Sequence, residues 1–309
     1  MRLARVLASA CSAAGLFSSA GVASAQAASD RIELAAGEKE MIASLTDDGV
    51  ATTVGRVVVH VPRGAMSADD ARSLAARLDK SIDALDAFTR SPRAWQRNPA
   101  RIDYYFHPGE SVSYAEPVFA QVFIALPRLQ RGGAPLLHET AHVLLSPSAD
   151  FIAAHGGRFA AKDDERAWLI EGIATYVAMS VSKAANIPEG DPLDVGSIDQ
   201  LDARCATALA TPVAAEVLPF IGVAGAPDAL GSVTRRAEVA PAFYRCSASF
   251  NMYLAGRVGL DALISLMIAD DSQAKLEQLA GHSVEALRED WRRRIAGQET
   301  RSLRNETLP

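Results

Sequence analysis

The sequence predicts an α+β fold, with a small sheet in the N-terminal half and a mainly helical C-terminal part. Short runs rich in β-branched and aromatic residues, which read as strands, fall between residues 56 and 126. The segment between the first two runs carries apolar residues at helical spacing. Beyond residue 130 the apolar stretches are longer and read as helices.

Taken in order, residues 1–25 read as an export signal. Arg2 and Arg5 form a positive start, Val6 to Val22 an apolar stretch, and Ala23-Ser24-Ala25 a small-residue cleavage site, with Ala27 the alternative. Leu7-Ala8-Ser9-Ala10-Cys11 resembles a lipoprotein box, but the apolar stretch before its cysteine is short. The expected location is outside the cytoplasm, periplasmic or secreted. Residues 26–54 are weakly patterned and read as a lead-in or an extra strand. Arg56-Val57-Val58-Val59-His60-Val61 is the first clear strand. A helix from about Ser67 to Phe88 follows, with Ala71, Leu74, Leu78, Ile82 and Leu85 on one face. Strands are predicted again at Ile102–Phe106 and Gln121–Leu126.

Next comes His138-Glu139-Thr140-Ala141-His142, the pattern H-E-x-x-H. On a helix, residues four apart share a face, so both imidazoles can reach one metal ion. Glu139 lies about 100° further round, near the metal but offset from the ligand pair. From there it can act as general base toward water held at the metal. Gly132-Gly133-Ala134-Pro135 puts a proline at the first helical turn, and Pro147 ends the helix. Leu136, Leu137, Ala141, Val143, Leu144 and Leu145 make this helix apolar nearly all round, hence buried.

A catalytic zinc takes three protein ligands and keeps a fourth position open. The candidate third ligand is Glu171, in a second apolar helix from about Asp164 to Ser182. There Gly172 is expected to allow close approach of the first helix, at about 1 kcal/mol relative to alanine. His155, in a glycine-containing loop over 153–158, is the alternative ligand. His60, His107 and His282 read as ordinary polar residues.

H-E-x-x-H followed by Trp168-Leu169-Ile170-Glu171-Gly172-Ile173-Ala174-Thr175-Tyr176 resembles the gluzincin metallopeptidases of the peptidase MA clan. The second motif is similar to that of the M1 aminopeptidases. The 28 residues between His142 and Glu171 are more than those enzymes carry, and their G-A-M-E-N signature is missing, so an exopeptidase is not implied. The resemblance is better to small bacterial secreted members of the clan and covers about residues 55–295. It implies a zincin-like catalytic unit with a small mixed sheet, in which the strand before the motif helix is an edge for peptide substrate. It also implies Zn2+ held by His138, His142 and Glu171, with Glu139 as base. Phe243–Leu254 is similar to the family's Y-x-x-x-x-S-F-x-x-Y-L helix, and Tyr244 is the candidate oxyanion donor, with Tyr253 and Tyr176 competing.

The remaining sequence bounds partners and layout. The net charge of −6 becomes −8 once residues 1–25 are removed, which argues against nucleic acid as a partner. Ala206 to Leu230 is apolar, but Pro212, Glu216 and Pro219 interrupt it. A buried helix pair, or an apolar wall beside the cleft, fits it better than stable membrane insertion. Asn186 to Gly196 reads as a surface loop, and Val284, Leu287, Trp291 and Ile295 as a core stripe whose neighbours Arg292-Arg293-Arg294 face solvent. Cys205 and Cys246, the cysteines left after export, are either paired or two buried thiols. The expected layout is a catalytic part over 55–184 and a helical part over 185–309, with the oligomeric state open. The function expected is hydrolysis of peptide or unfolded protein. The rivals are an inactive zinc-binding envelope module and a helical adaptor in which H-E-x-x-H is accidental.

Overall fold

The computed structural model describes residues 36–109, 113–155, 166–185, 187, 198–231 and 236–306. The predicted export signal, residues 26–35 of the lead-in, residues 156–158 of the His155 loop and all but Ile187 of the loop over 186–196 lie outside the described residues. Within them the architecture is α+β: a five-stranded mixed sheet, then a helical C-terminal part.

The sheet is built from β1 (Gly49–Val54), β2 (Val57–Pro62), β3 (Ile102–His107), β4 (Tyr114–Glu116) and β5 (Gln121–Ala125), in the order β1-β2-β3-β5-β4. The central three strands run parallel, while β1 and β4 flank them antiparallel. A tight turn at Gly55, with φ of 52°, joins β1 to β2. There the Arg56 backbone N–H donates to Asp79 Oδ1 at 2.7 Å, leaving no room for a side chain at Gly55.

β1 is the extra strand that residues 26–54 offer as one reading, without bounds from the sequence, while β4 escapes sequence reading. β1 is half exposed, so its residues 49–54 lack an apolar signature, and β4 has only three residues. The omission of β4 matters, because the expected edge strand, β5, is covered by it. Ala115 pairs with Val122 and Glu116 with Gln121, and β4 is the outer strand at that end of the sheet.

Alternation divides the sheet into two faces. Val57, Val59, Val61, Ile102, Tyr104, Phe106, Val122 and Ile124 join the main core. On that side lies α2 (Ala68–Thr89), capped by Ser67, whose Oγ accepts from the Asp70 N–H. The other face carries His60, Tyr105, Phe123 and Tyr114 as a row of near-parallel rings, one per strand, at centroid spacings of 4.5, 5.3 and 4.7 Å. Met41, Ile42 and Leu45 of α1 (Ala36–Asp47) pack on this second face.

After β5, the short α3 (Leu126–Gln130) leads to α4 (Leu136–Leu145), which holds the H-E-x-x-H segment. Pro135 caps α4 from outside its first turn, and the helix stops one residue before Ser146-Pro147. Tyr104 of β3 pins α4 to the sheet: its hydroxyl shares a 2.7 Å hydrogen bond with Thr140, which itself donates to Leu136 O. Then come α5 (Ala149–Ala154) and α6 (Ala167–Ala185).

The C-terminal part comprises α7 (Leu201–Leu209), α8 (Ala214–Val217), α9 (Arg236–Val258), α10 (Leu260–Ser265), α11 (Ser272–Ala280) and α12 (Val284–Glu306). Cys205 of α7 and Cys246 of α9 form a disulfide. The expected helix pair over 206–230 is instead the end of α7, the single turn of α8 and two 3₁₀ turns, because Pro212 and Pro219 break the run. No helix of the described residues is long and apolar enough to cross a membrane. The stripe on α12 is buried as expected. Arg294 departs from its expected solvated face: it donates to buried Asp202 at 2.6 Å. Asp202 also accepts from Ser249, which receives the Trp291 indole N–H.

The close α6–α9 contact rests on Gly172. A Cβ there would collide with Asn251 Nδ2 and stand 2.7 Å from Ser247 O. The expected partner of this glycine, the H-E-x-x-H helix, is therefore replaced by α9. Gly172→Ala should lower stability by about 1–3 kcal/mol despite alanine's better helix propensity. A urea midpoint equal to or above the parent's would refute this packing role.

His107, at the end of β3, is almost fully buried, and burial pushes its pKa down to about 4 from the ordinary 6.5. Unfolded, it takes up a proton near 6.5. Its contribution to stability is thus complete above that pH and is lost as pH falls toward 4, by up to about 3 kcal/mol. Urea titrations across this window should show a shallower loss for His107→Gln than for the parent; identical slopes would show that His107 is not the source.

Candidate metal centre

Helical pitch brings His138 and His142 to one face of α4, with ring centroids 4.6 Å apart and planes nearly perpendicular. Their Nε2 atoms are 3.0 Å apart. From α6, Glu171 Oε2 stands 3.2 Å from His138 Nε2 and 3.4 Å from His142 Nε2. Two imidazole nitrogens and a carboxylate oxygen thus converge on one point from two helices.

Donor chemistry and spacing both fit a zinc ion. Two neutral imidazoles that face each other through Nε2 repel unless a proton or a cation lies between them. A tetrahedral ion with bonds of about 2.0–2.2 Å sets its donors about 3.3–3.5 Å apart, within a few tenths of an ångström of the distances here. Glu139 also belongs to the cluster: His138, Glu139 and His142 offer donor atoms all within 4.8 Å of one another. Glu171 brings an oxygen within 3.4 Å of both ring nitrogens, and Glu139 offers one within 4.8 Å. Glu139 stands beside the set.

The two carboxylates differ in their electrostatics. Burial would raise the Glu171 pKa, but His142 and His138 outweigh it and hold the carboxyl well below the usual carboxylate range. For Glu139 burial dominates and, with the nearby Glu171 charge, pushes the pKa up against the pull of His138, His142 and Arg128. Glu171 keeps 27% of its side-chain surface and His142 14%, against 4% for His138, so the cluster opens on the Glu171–His142 side.

Of the three candidate tyrosines, Tyr244 of α9 stands next to the cluster, its ring 6.1 Å from that of His138. Tyr253 is buried, stacks on Phe250 and donates to Asp290 at 2.7 Å. Tyr176 packs edge-on against Phe88 of α2. His155 ends α5 with its ring stacked on Phe151 and Nδ1 2.8 Å from Phe151 O, whereas Glu171 is the residue within 3.4 Å of both motif histidines. His60 bonds Asp103 at 2.7 Å, away from the cluster on the sheet's other face.

Sequence reading misses Thr175, whose Oγ1 is 3.2 Å from His138 Nδ1. Its signal is positional: it follows Glu171 by four residues and so shares a face of α6 with it. Asn251 is also missed. It ties α9 to α6 through a 3.0 Å hydrogen bond to Trp168 O. Two surface hollows, of about 560 and 480 Å³, lie at α11 and between α7 and α12, and neither is lined by the cluster.

Compared with known proteins, the chain matches no family model, no curated protein and no solved structure.

The protein should carry about one zinc per chain, and Glu171→Ala should lose most of it. Metal analysis after dialysis tests this; zinc retained equally by both proteins would remove Glu171 from the ligand set.

Proposed function

We propose that this chain is an exported zinc-dependent metallopeptidase of gluzincin type. One observation carries the reading: His138, His142 and Glu171 converge at 3.0–3.4 Å, with buried Glu139 beside them. The resemblance of the two motifs to the gluzincins supports it, and the signal-like residues 1–25 support export. The substrate class is a peptide or partly unfolded protein of the cell envelope or its surroundings.

His138, His142 and Glu171 would hold the zinc, which when bound would supply Lewis-acid chemistry toward a carbonyl and water. Glu139 is the general base: it takes a proton from the attacking water and passes it to the departing amine. Its burial keeps bulk water from competing for that proton. Tyr244 offers its hydroxyl to the oxygen that gains negative charge as the carbonyl becomes tetrahedral. Tyr104 and Thr140 keep α4, and with it both imidazoles and the base, fixed against the sheet.

Glu139→Gln separates turnover from metal binding. Peptide hydrolysis should fall by about 10²–10⁴-fold while zinc content stays at the parent's level. Hydrolysis that persists in the variant would sink the peptidase mechanism. A parent that binds zinc and cleaves none of a broad set of unfolded proteins would favour the inactive envelope module instead.

A further inference from the structure

We propose that Thr175 is a positioning residue, whose buried hydroxyl accepts the Nδ1 proton of His138 and so leaves Nε2 free to bind a cation. The inference rests on the zinc reading above and extends it to a residue outside the ligand set. Its basis is geometric. Thr175 Oγ1 lies 3.2 Å from Nδ1, and the same ring's Nε2 faces Glu171 Oε2 at 3.2 Å and His142 Nε2 at 3.0 Å. The two nitrogens of His138 therefore have different surroundings, and only one tautomer suits a ligand: proton on Nδ1, lone pair on Nε2.

Burial makes the choice of partner consequential. Thr175 has no exposed surface and His138 has 3%, so bulk water does not replace a missing acceptor. A hydroxyl differs from the carbonyls and carboxylates that usually orient a ligating histidine, because it can also donate. If it donated to Nδ1, the proton would sit on Nε2 and block the metal. Glu171 and Thr175, four residues apart on α6, carry ligand and positioner on one face, so the two move together.

The test compares Thr175→Val, which keeps the branched shape, with Thr175→Ser, which keeps the hydroxyl. Zinc dissociation constants come from competition with a chromophoric chelator, and the His138 tautomer from ¹⁵N NMR of the zinc-free proteins. Thr175→Val should bind zinc about 10–100-fold more weakly with its unfolding temperature little changed. Thr175→Ser should bind close to the parent. Zinc-free parent should show the proton on Nδ1, and the valine variant a mixture. Equal zinc affinity in parent and Thr175→Val, or a serine variant as weak as the valine one, would overturn the assignment, as would a parent protonated on Nε2. If Thr175→Val does not fold, the serine variant and the parent's tautomer decide. A parent that takes up no zinc at all would sink the metal reading and this one together, whereas a zinc-binding parent with an indifferent Thr175 sinks this one alone.

Discussion

Glu171 places a carboxylate on an otherwise apolar helix, three-quarters covered and facing His138 and His142, and much of the surrounding arrangement answers that fact. An ionised carboxylate removed from water is unfavourable by several kcal/mol unless it is paired. Here the compensation comes from two imidazoles on a different helix, so α4 and α6 must lie at one separation and one rotation. The contacts that fix them are not local. Tyr104 holds α4 from the sheet side, and Gly172 with Asn251 holds α6 from the side of α9. The apolar packing and the polar cluster are thus two statements of one requirement: three donors within 3.4 Å of each other.

Sequence alone reveals those features whose signal is carried by a few neighbouring residues. His138 and His142 are four apart, so helical pitch is enough to join them. Strands β2, β3 and β5 show as β-branched and aromatic runs, and α2 shows as a stripe from Ala71 to Leu85. What stays hidden is whatever depends on which element meets which. Gly172 marks a close approach, but the sequence does not say from which helix, and α9 fills the place expected for α4. Thr175 is one turn from Glu171 and could be placed on its face, yet its distance to His138 depends on the tilt of one helix over another. β4 is too short for any period to register, so the expected edge strand acquires a neighbour that only pairing reveals.

The helical half has its own interior polar group. Asp202 is buried, and it draws together Ser249 of α9 and Arg294 of α12. Trp291 joins through Ser249, so three helices are tied at one point beside the disulfide that already links α7 to α9. This double tie lies on the helix that carries Tyr244, and it fixes α9 along its length while α6 packs on its other side.

The distribution of aromatic rings gives the two halves different optical signatures. Trp168 and Trp291 both pack against Phe250, so two of the three indoles report the environment of α9. The sheet has no tryptophan. Tyr105 and Tyr114 lie instead in the ring row with His60 and Phe123, stacked with nearly parallel planes across four strands. Indole fluorescence therefore follows mainly the helical half, and its loosening is visible without any added label.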